Sequence, residues 1–258
     1  TTRATREQVI AALAGAGVVA RPTELSPVGL VLEVPGLLTN LEPFRKGLFQ
    51  VQDEAAQLVS LMAPVEPGMR VLDACAAPGG KACHLAERLR GSGEVFALDV
   101  YPRKLERLEQ EARRLGLSGQ LRPRTADASR ALPFAERSFD LVLLDAPCTG
   151  LGTLRRHPEI RYRRTEEDVA RMAKLQGELA ENVLRYLRPG GSLVFSVCSM
   201  EPEEGAQRAA ALAARGLQIA APNDPGVPWD RVAAPEGGIA TFPHRHGIDG
   251  FYGIRVIR

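Results

Sequence analysis

The sequence has very little lysine. Its 33 basic residues include only Lys46, Lys81, Lys104 and Lys174 as lysines, so its cations are almost all arginine. The planar arginine fork suits phosphate and base recognition, although a GC-rich genome or thermal adaptation gives the same bias. Cysteine is scarce too. Cys75, Cys83, Cys148 and Cys198 show no paired CxxC spacing, which removes zinc-ribbon and disulfide-scaffold readings and leaves reduced, intracellular thiols. No run approaches about 18 apolar residues and no basic-then-apolar leader is visible, so a cytoplasmic protein without a membrane span or secretory signal is expected. Charge of one sign is also missing: 33 basic against 31 acidic residues leave a net +2, and only the distribution of charge can indicate a polyanionic partner. What is present is ordinary globular usage, 258 residues with 45% hydrophobic and 25% charged. That excludes disorder and collagen-like structure and allows a sizeable core without disulfides.

The chain opens at Thr1 rather than Met, directly before a helix-like stretch from Thr5 to Ala14 with a capping-box pattern at Thr5 and Gln8. It is therefore expected to belong to something longer. Val18-Val19 and Leu30 to Val34 read as short strands bounded by Pro22, Pro27 and Pro35, giving a small α+β region over 1–46. From Asp53 the pattern becomes an alternation of apolar strands and amphipathic helices, read as one domain over 47–258. The expected helices are 53–63, 81–90, 102–115, 166–187 and 203–215; the expected strands are 70–74, 94–98, about 120–125, 139–144, 192–197, 216–220 and 251–257. Pro189-Gly190-Gly191 is expected to turn the chain into strand 192–197. Successive strand–helix units predict an α/β fold with a mainly parallel, doubly wound sheet, in which ligands bind outside the carboxyl ends of the strands. Asp73, Asp99, Asp127, Asp145 and Cys198 all fall at or just past such an end. One acid there is usually a turn or cap; this many together point to a site.

Three motifs carry chemistry. In VLDACAAPGGK, 71–81, the small residues Cys75, Ala76, Ala77, Pro78, Gly79 and Gly80 let a ligand approach the backbone. The helix N-terminus at Lys81 suits a carboxylate. The spacing is neither GxGxxG nor GxxxxGK[ST], which argues against a dinucleotide dehydrogenase and a P-loop. Asp99 is placed to accept from both hydroxyls of a ribose and Asp127 from the exocyclic amine of adenine, a set that suits S-adenosylmethionine. In LLDAPCTGLGTLRRHPEIRYRR, 143–164, Asp145 and Cys148 stand three apart, with a small buried hydrophobe as the equal alternative for Cys148. Gly150 and Gly152 are expected to let the following loop move aside for a substrate. Arg155, Arg156, Arg161, Arg163 and Arg164, with His157 and Tyr162 interleaved, form the densest basic cluster. It is either a solvated loop or an RNA-binding surface whose guanidinium groups meet phosphates and stack on bases. In SLVFSVCSMEPEE, 192–204, Cys198 ends a strand where cations and helix dipoles can ionise it, and Ser199 and Glu203-Glu204 are expected to open the next helix. Packing accounts for Cys83, and equally for Cys75.

DACAAPGGK, LDAPCTG, FSVCS and the tail PHRHGIDGFY resemble the signature motifs of the RsmB/Nop2/Sun family of RNA cytosine-5 methyltransferases, and GLFQVQDEAAQ, 47–57, resembles the family's stretch ahead of the cofactor strand. The similarity runs over nearly the whole chain from about residue 40, and RRHPEI is most similar to the bacterial branch acting on small-subunit rRNA. Val197 and Ala82 stand where the family usually has Thr. The NusB-like helical RNA-binding domain of that branch is not among these residues.

The resemblance implies a Rossmann-like class I methyltransferase fold. It implies S-adenosylmethionine as methyl donor, S-adenosylhomocysteine as product, no metal, and RNA, foremost 16S rRNA, as the partner of a monomer. It assigns attack on cytosine carbon 6 to Cys198, activation of the ring at N3 to Asp145, which also borders the cofactor, and help with product release to Cys148. Other readings stay open. A tRNA-specific member would share every catalytic residue, a DNA cytosine-5 enzyme would use Cys148 as nucleophile, and a noncatalytic rRNA-binding assembly factor would bind without methyl transfer.

Overall fold

A computed structural model describes residues 1–34 and 36–258, so Pro35, expected to bound the second strand, lies outside the described residues. The first elements are α1 (Arg6–Gly15), β1 (Val19–Pro22), β2 (Leu30–Glu33) and α2 (Glu42–Arg45). Thr5 closes its capping box: its hydroxyl accepts from the Gln8 N–H, and the Gln8 side-chain oxygen accepts from the Thr5 N–H. β1 and β2 form a separate antiparallel ribbon. A lone ribbon is marginal in water; this one is backed by a small cluster of Val9, Leu13 and Val18, against which Leu30, Leu32 and Phe49 pack.

The chain then runs α3 (Glu54–Met62), β3 (Arg70–Asp73), α4 (Gly80–Arg88), β4 (Glu94–Asp99), α5 (Pro102–Leu115), β5 (Leu121–Thr125), β6 (Phe139–Asp145), α6 (Glu166–Leu184), β7 (Leu187–Val197), α7 (Ala206–Ala214), β8 (Gln218–Ile219), β9 (Ile239–Thr241), α8 (Pro243–His246) and β10 (Phe251–Ile257). The sheet order is β5-β4-β3-β6-β7-β10-β8, with β9 also pairing β10. β3 to β7 are mutually parallel; β10 runs antiparallel to β7, β8 and β9. Successive residues of each central strand face opposite cores. Val71, Leu141 and Leu143 pack with α3, α4 and α5, while Leu72, Val142 and Leu144 pack with α6 and α7. Burial on both faces is why these strands read as unbroken apolar runs. The mainly parallel, doubly wound α/β sheet is therefore present.

Strand order reverses between β3 and β6, the place where such sheets open a crevice for ligands. The turns after β3 and β6 flank that crevice. Because β10 is antiparallel, with Tyr252 opposite Val197, the residues just before it arrive at the same edge.

Local signals misplace or miss several elements, and the helix expected over 166–187 ends at Leu184. Pro189, Gly190 and Gly191 lie inside β7 rather than in a turn ahead of it. Leu187 pairs with Phe139, and the register shifts before Ser192 pairs with Leu141. Hydrogen bonds from Gly190 N–H to Arg258 O and from Arg258 N–H to Gly191 O hold this irregular segment extended, and such irregularities are where strands tolerate proline. The helix expected from 203 starts at Ala206, leaving Glu203 and Glu204 in the preceding turn. β9 was not expected; it is three residues long and exists through pairing with β10.

Candidate active site

The turn after β3 is stitched to both neighbouring strands, since Ala74 N–H donates to Leu143 O and Ala76 N–H to Leu98 O. Gly79 has φ 115°, and a Cβ there would meet Leu108 Cγ at 2.7 Å. Only glycine carries the chain into α4 this close to α5. The turn borders a cleft of about 520 Å³ lined by Cys75, Ala76, Ala77, Pro78, Gly80 and Lys81, together with Asp73, Asp145, Cys198, Gln52 and Phe251. Asp73 is 1% exposed and neither carboxylate oxygen has a hydrogen-bond partner among the described residues. Burial, then the charge of Asp145, pushes it up to about 8. The Gln52 side-chain nitrogen, beside Gly80, is also buried without an acceptor among the described residues. Orphaned buried groups of this kind are costly until a partner arrives. A carboxylate and an amide donor together fit a ligand end carrying both an ammonium and a carboxylate.

Asp99 and Asp127 lie farther along this edge and do not line the cleft; nor does Gly79. Asp99 accepts the Tyr101 N–H at 2.9 Å. Asp127 accepts the Ser129 hydroxyl at 2.7 Å and its N–H at 2.9 Å, which with Arg130 hold it below the usual carboxylate range.

Lys81 Nζ donates to Asp145 Oδ2 at 2.6 Å, and the Ser196 hydroxyl donates to Asp145 Oδ1 at 2.7 Å. Burial works against the Lys81 charge, but Asp145 outweighs it and raises the lysine. Read along the chain, Lys81 belongs to the cofactor turn alone and Ser196 has no role; a separation of 64 residues hides the first pair. The Cys148 and Cys198 sulfurs are 3.2 Å apart. The bond from Cys148, helped by Lys81, lowers the Cys198 thiol below its ordinary value despite burial. Cys148 is raised well above its own, first by that bond, then by burial and the charges of Cys198 and Glu204. Cys198 lines the cleft and Cys148 does not. Cys83 is a buried packing thiol, pushed up to about 12 by desolvation.

The loop after Cys148 is fastened rather than free. A Cβ on Gly152 would meet Gly250 O at 1.9 Å; Gly152 N–H donates to Cys198 O, and Gly250 N–H to Gly152 O. This overturns the expectation that Gly152 lets the loop move aside: it is glycine because two backbones touch there. The basic cluster is divided. Arg156 forks onto Asp249, which is 0% exposed, and lines the cleft. Arg155 reaches Asp53 at 3.1 Å and Asp249 at 3.5 Å, and Arg164 Nε donates to Thr149 O at 2.9 Å. These three anchor the loop. His157 pairs with Glu159 at 3.5 Å, while Arg161, Arg163 and Tyr162, the last 83% exposed, face solvent. Gln52, Asp249 and Phe251 had no assigned role in the sequence, although the segments 47–57 and PHRHGIDGFY had marked their neighbourhoods. Among the described residues no helix is long and apolar enough to cross a membrane.

Comparison with known proteins adds to this geometry. A family model described as 16S rRNA methyltransferase RsmB/F matches residues 59–256. Ribosomal RNA small subunit methyltransferase B of Pseudomonas syringae pv. tomato is 39% identical over 259 residues, covering 98% of this chain and 57% of that protein. The solved structure of PH0851 aligns with a TM-score of 0.92 at 33% identity, covering 100% of this chain and 58% of that one. A methyltransferase homolog protein from Pyrococcus horikoshii aligns with a TM-score of 0.86 at 26% identity, covering 100% of this chain and 84% of that one. The chain thus spans little more than half the length of the curated relative.

Proposed function

Since the chain belongs to the 16S rRNA methyltransferase RsmB/F family, we propose that it transfers a methyl group from S-adenosylmethionine to carbon 5 of a cytosine in RNA, foremost small-subunit rRNA. The observation that carries this reading is the pair of sulfurs 3.2 Å apart at the ends of neighbouring parallel strands, beside a cleft with an orphaned carboxylate.

The cofactor's amino-acid end fits Asp73, Gln52 and the first turn of α4, and its nucleoside would extend toward Asp99 and Asp127. When bound, S-adenosylmethionine supplies an electrophilic methyl group on a sulfonium. The chain's own residues do the rest. Carbon 5 of cytosine is a poor nucleophile, so the ring is activated by covalent addition. The Cys198 thiolate attacks carbon 6, favoured over Cys148 because it faces the cleft and receives the hydrogen bond. Asp145 holds or protonates the ring at N3, and the Lys81 ammonium against it offsets the electron density that moves there. After carbon 5 is methylated, its proton leaves to water, the ring electrons reform the 5,6 double bond and the Cys198–carbon 6 bond breaks. Cys148, still a thiol, donates to the departing sulfur. The target base must enter the cleft, which requires an unpaired or flipped cytosine.

Methylation of unmodified small-subunit rRNA with tritiated S-adenosylmethionine tests the reading. Cys198→Ala is expected to abolish transfer, and Cys148→Ala to accumulate a covalent RNA adduct that survives denaturation. An active Cys198→Ala protein would remove Cys198 as nucleophile. Transfer to tRNA but not rRNA would reassign the substrate, and RNA binding with no transfer would leave an assembly factor.

A further inference from the structure

We propose that Glu204, acting with Gln176, is the positioning residue that sets Cys148 against Cys198, so that its loss allows the covalent RNA adduct to form but slows its release. This rests on the two-thiol reading above.

Glu204 is 0% exposed, and no Lys, Arg or His pairs with it among the described residues. Its carboxylate is held by neutral donors alone. The Thr149 N–H donates to Oε1 at 2.9 Å, the Thr149 hydroxyl donates to Oε2, and Gln176 Nε2 donates to Oε1 at 2.9 Å. Gln176, also 0% exposed, donates to Pro147 O at 3.0 Å as well. The residues on both sides of Cys148 are therefore fastened to one buried carboxylate. The Thr149 hydroxyl, its proton engaged with Glu204, accepts from the Ser199 hydroxyl at 3.3 Å, which links the residue after Cys148 to the residue after Cys198.

A buried anion without a counter-cation costs stability relative to an apolar side chain of the same size. Here the gain is geometric: the carboxylate fixes two loops that carry reacting groups. Its charge is also one of those that keep Cys148 protonated, so it supports the proton-donating form of the thiol as well as its place. Adduct formation needs only Cys198 and the ring; release needs both sulfurs in register, and a displacement of order 1 Å in such a pair costs up to about 100-fold.

The test uses the whole chain with unmodified small-subunit rRNA and S-adenosylmethionine. Glu204→Ala removes the grip, Glu204→Gln keeps the shape and one acceptor while removing the charge, and Thr149→Val removes only the hydroxyl. All three are expected to raise trapped adduct at steady state by about tenfold, while single-turnover methyl transfer stays within about threefold. A second readout needs no RNA. Diamide takes two electrons and two protons from a thiol pair as the disulfide closes, itself becoming the hydrazine. Closure between Cys148 and Cys198 is expected to slow at least about tenfold in Glu204→Ala. Melting and S-adenosylmethionine binding show whether each variant is folded; if Glu204→Ala is not, the other two decide. Wild-type adduct levels together with wild-type closure would overturn the proposal. So would parallel losses of cofactor binding, adduct and transfer, which mark a general structural role. If Cys148→Ala traps no adduct, the two-thiol reading falls and this inference with it, whatever the diamide rate.

Discussion

Asp73 is a buried carboxyl whose oxygens have no hydrogen-bond partner among the described residues. Its carboxyl lies at about 8 when folded against 3.8 as a free group. Between those values the folded chain binds more protons than the unfolded one. Stability therefore falls as pH rises through this window, and the loss is complete once pH exceeds the folded value. Asp73→Asn removes the penalty. It is expected to raise the melting temperature at pH about 8.5 by at least about 2 °C, with a smaller gain at pH about 5. Equal gains at both values would show that Asp73 is not the titrating group. The same change removes the partner proposed for the ammonium of S-adenosylmethionine, so calorimetry should show binding weakened by about tenfold or more.

Two elements at this site meet backbone to backbone as well as through side chains. The Cys148 loop and the turn before β10 touch at Gly152 and Gly250, with a Cβ-to-oxygen distance of 1.9 Å if Gly152 carried a side chain. Gly152→Ala must push these turns apart, at a cost of about 1–3 kcal/mol for an overpacked position. The displaced loop also carries Cys148, so product release, and with it steady-state turnover, should fall more steeply than stability. At Gly119 a Cβ would have nothing within 4 Å, and the backbone has no left-handed φ, so Gly119→Ala should stay within about 0.5 kcal/mol. Urea denaturation of both variants beside the methyl-transfer assay separates the outcomes.

At the scale of the whole molecule, a net charge of +2 conceals a local polarity. Arg155, Arg156 and Arg164 are tied to Asp53, Asp249 and Thr149, while Arg161 and Arg163 are exposed cations of that loop without a hydrogen-bond or ion-pair partner for the side chain among the described residues. If they meet phosphates, the double change Arg161→Ala with Arg163→Ala should reduce the slope of log affinity against log salt by about 1.4, about 0.7 for each single-strand contact. Tyr162→Ala should weaken RNA binding without altering the slope, because stacking releases no counterions. An unchanged slope in the double variant would move the phosphate contacts elsewhere. Filter binding across a salt series reads all three.

Period and punctuation along the chain were enough to give the alternation of strands and helices, the capping box at Thr5 and the extent of α5, where 102–115 matches Pro102–Leu115. These are local properties, set by side-chain spacing and by residues that begin or end a turn. The edge on which Asp73, Asp145 and Cys198 gather was legible for the same reason, since parallel strands deliver their carboxyl ends to one side. Contacts between distant residues were not legible. Lys81 with Asp145 spans 64 positions, Cys148 with Cys198 spans 50 and Thr149 with Glu204 spans 55. Nor could spacing say that Arg156 is tied to the buried Asp249, that Glu204 is buried, or that Pro189 lies within a strand. Those outcomes depend on which buried polar groups find partners once the sheet has formed, and only the tertiary structure decides that.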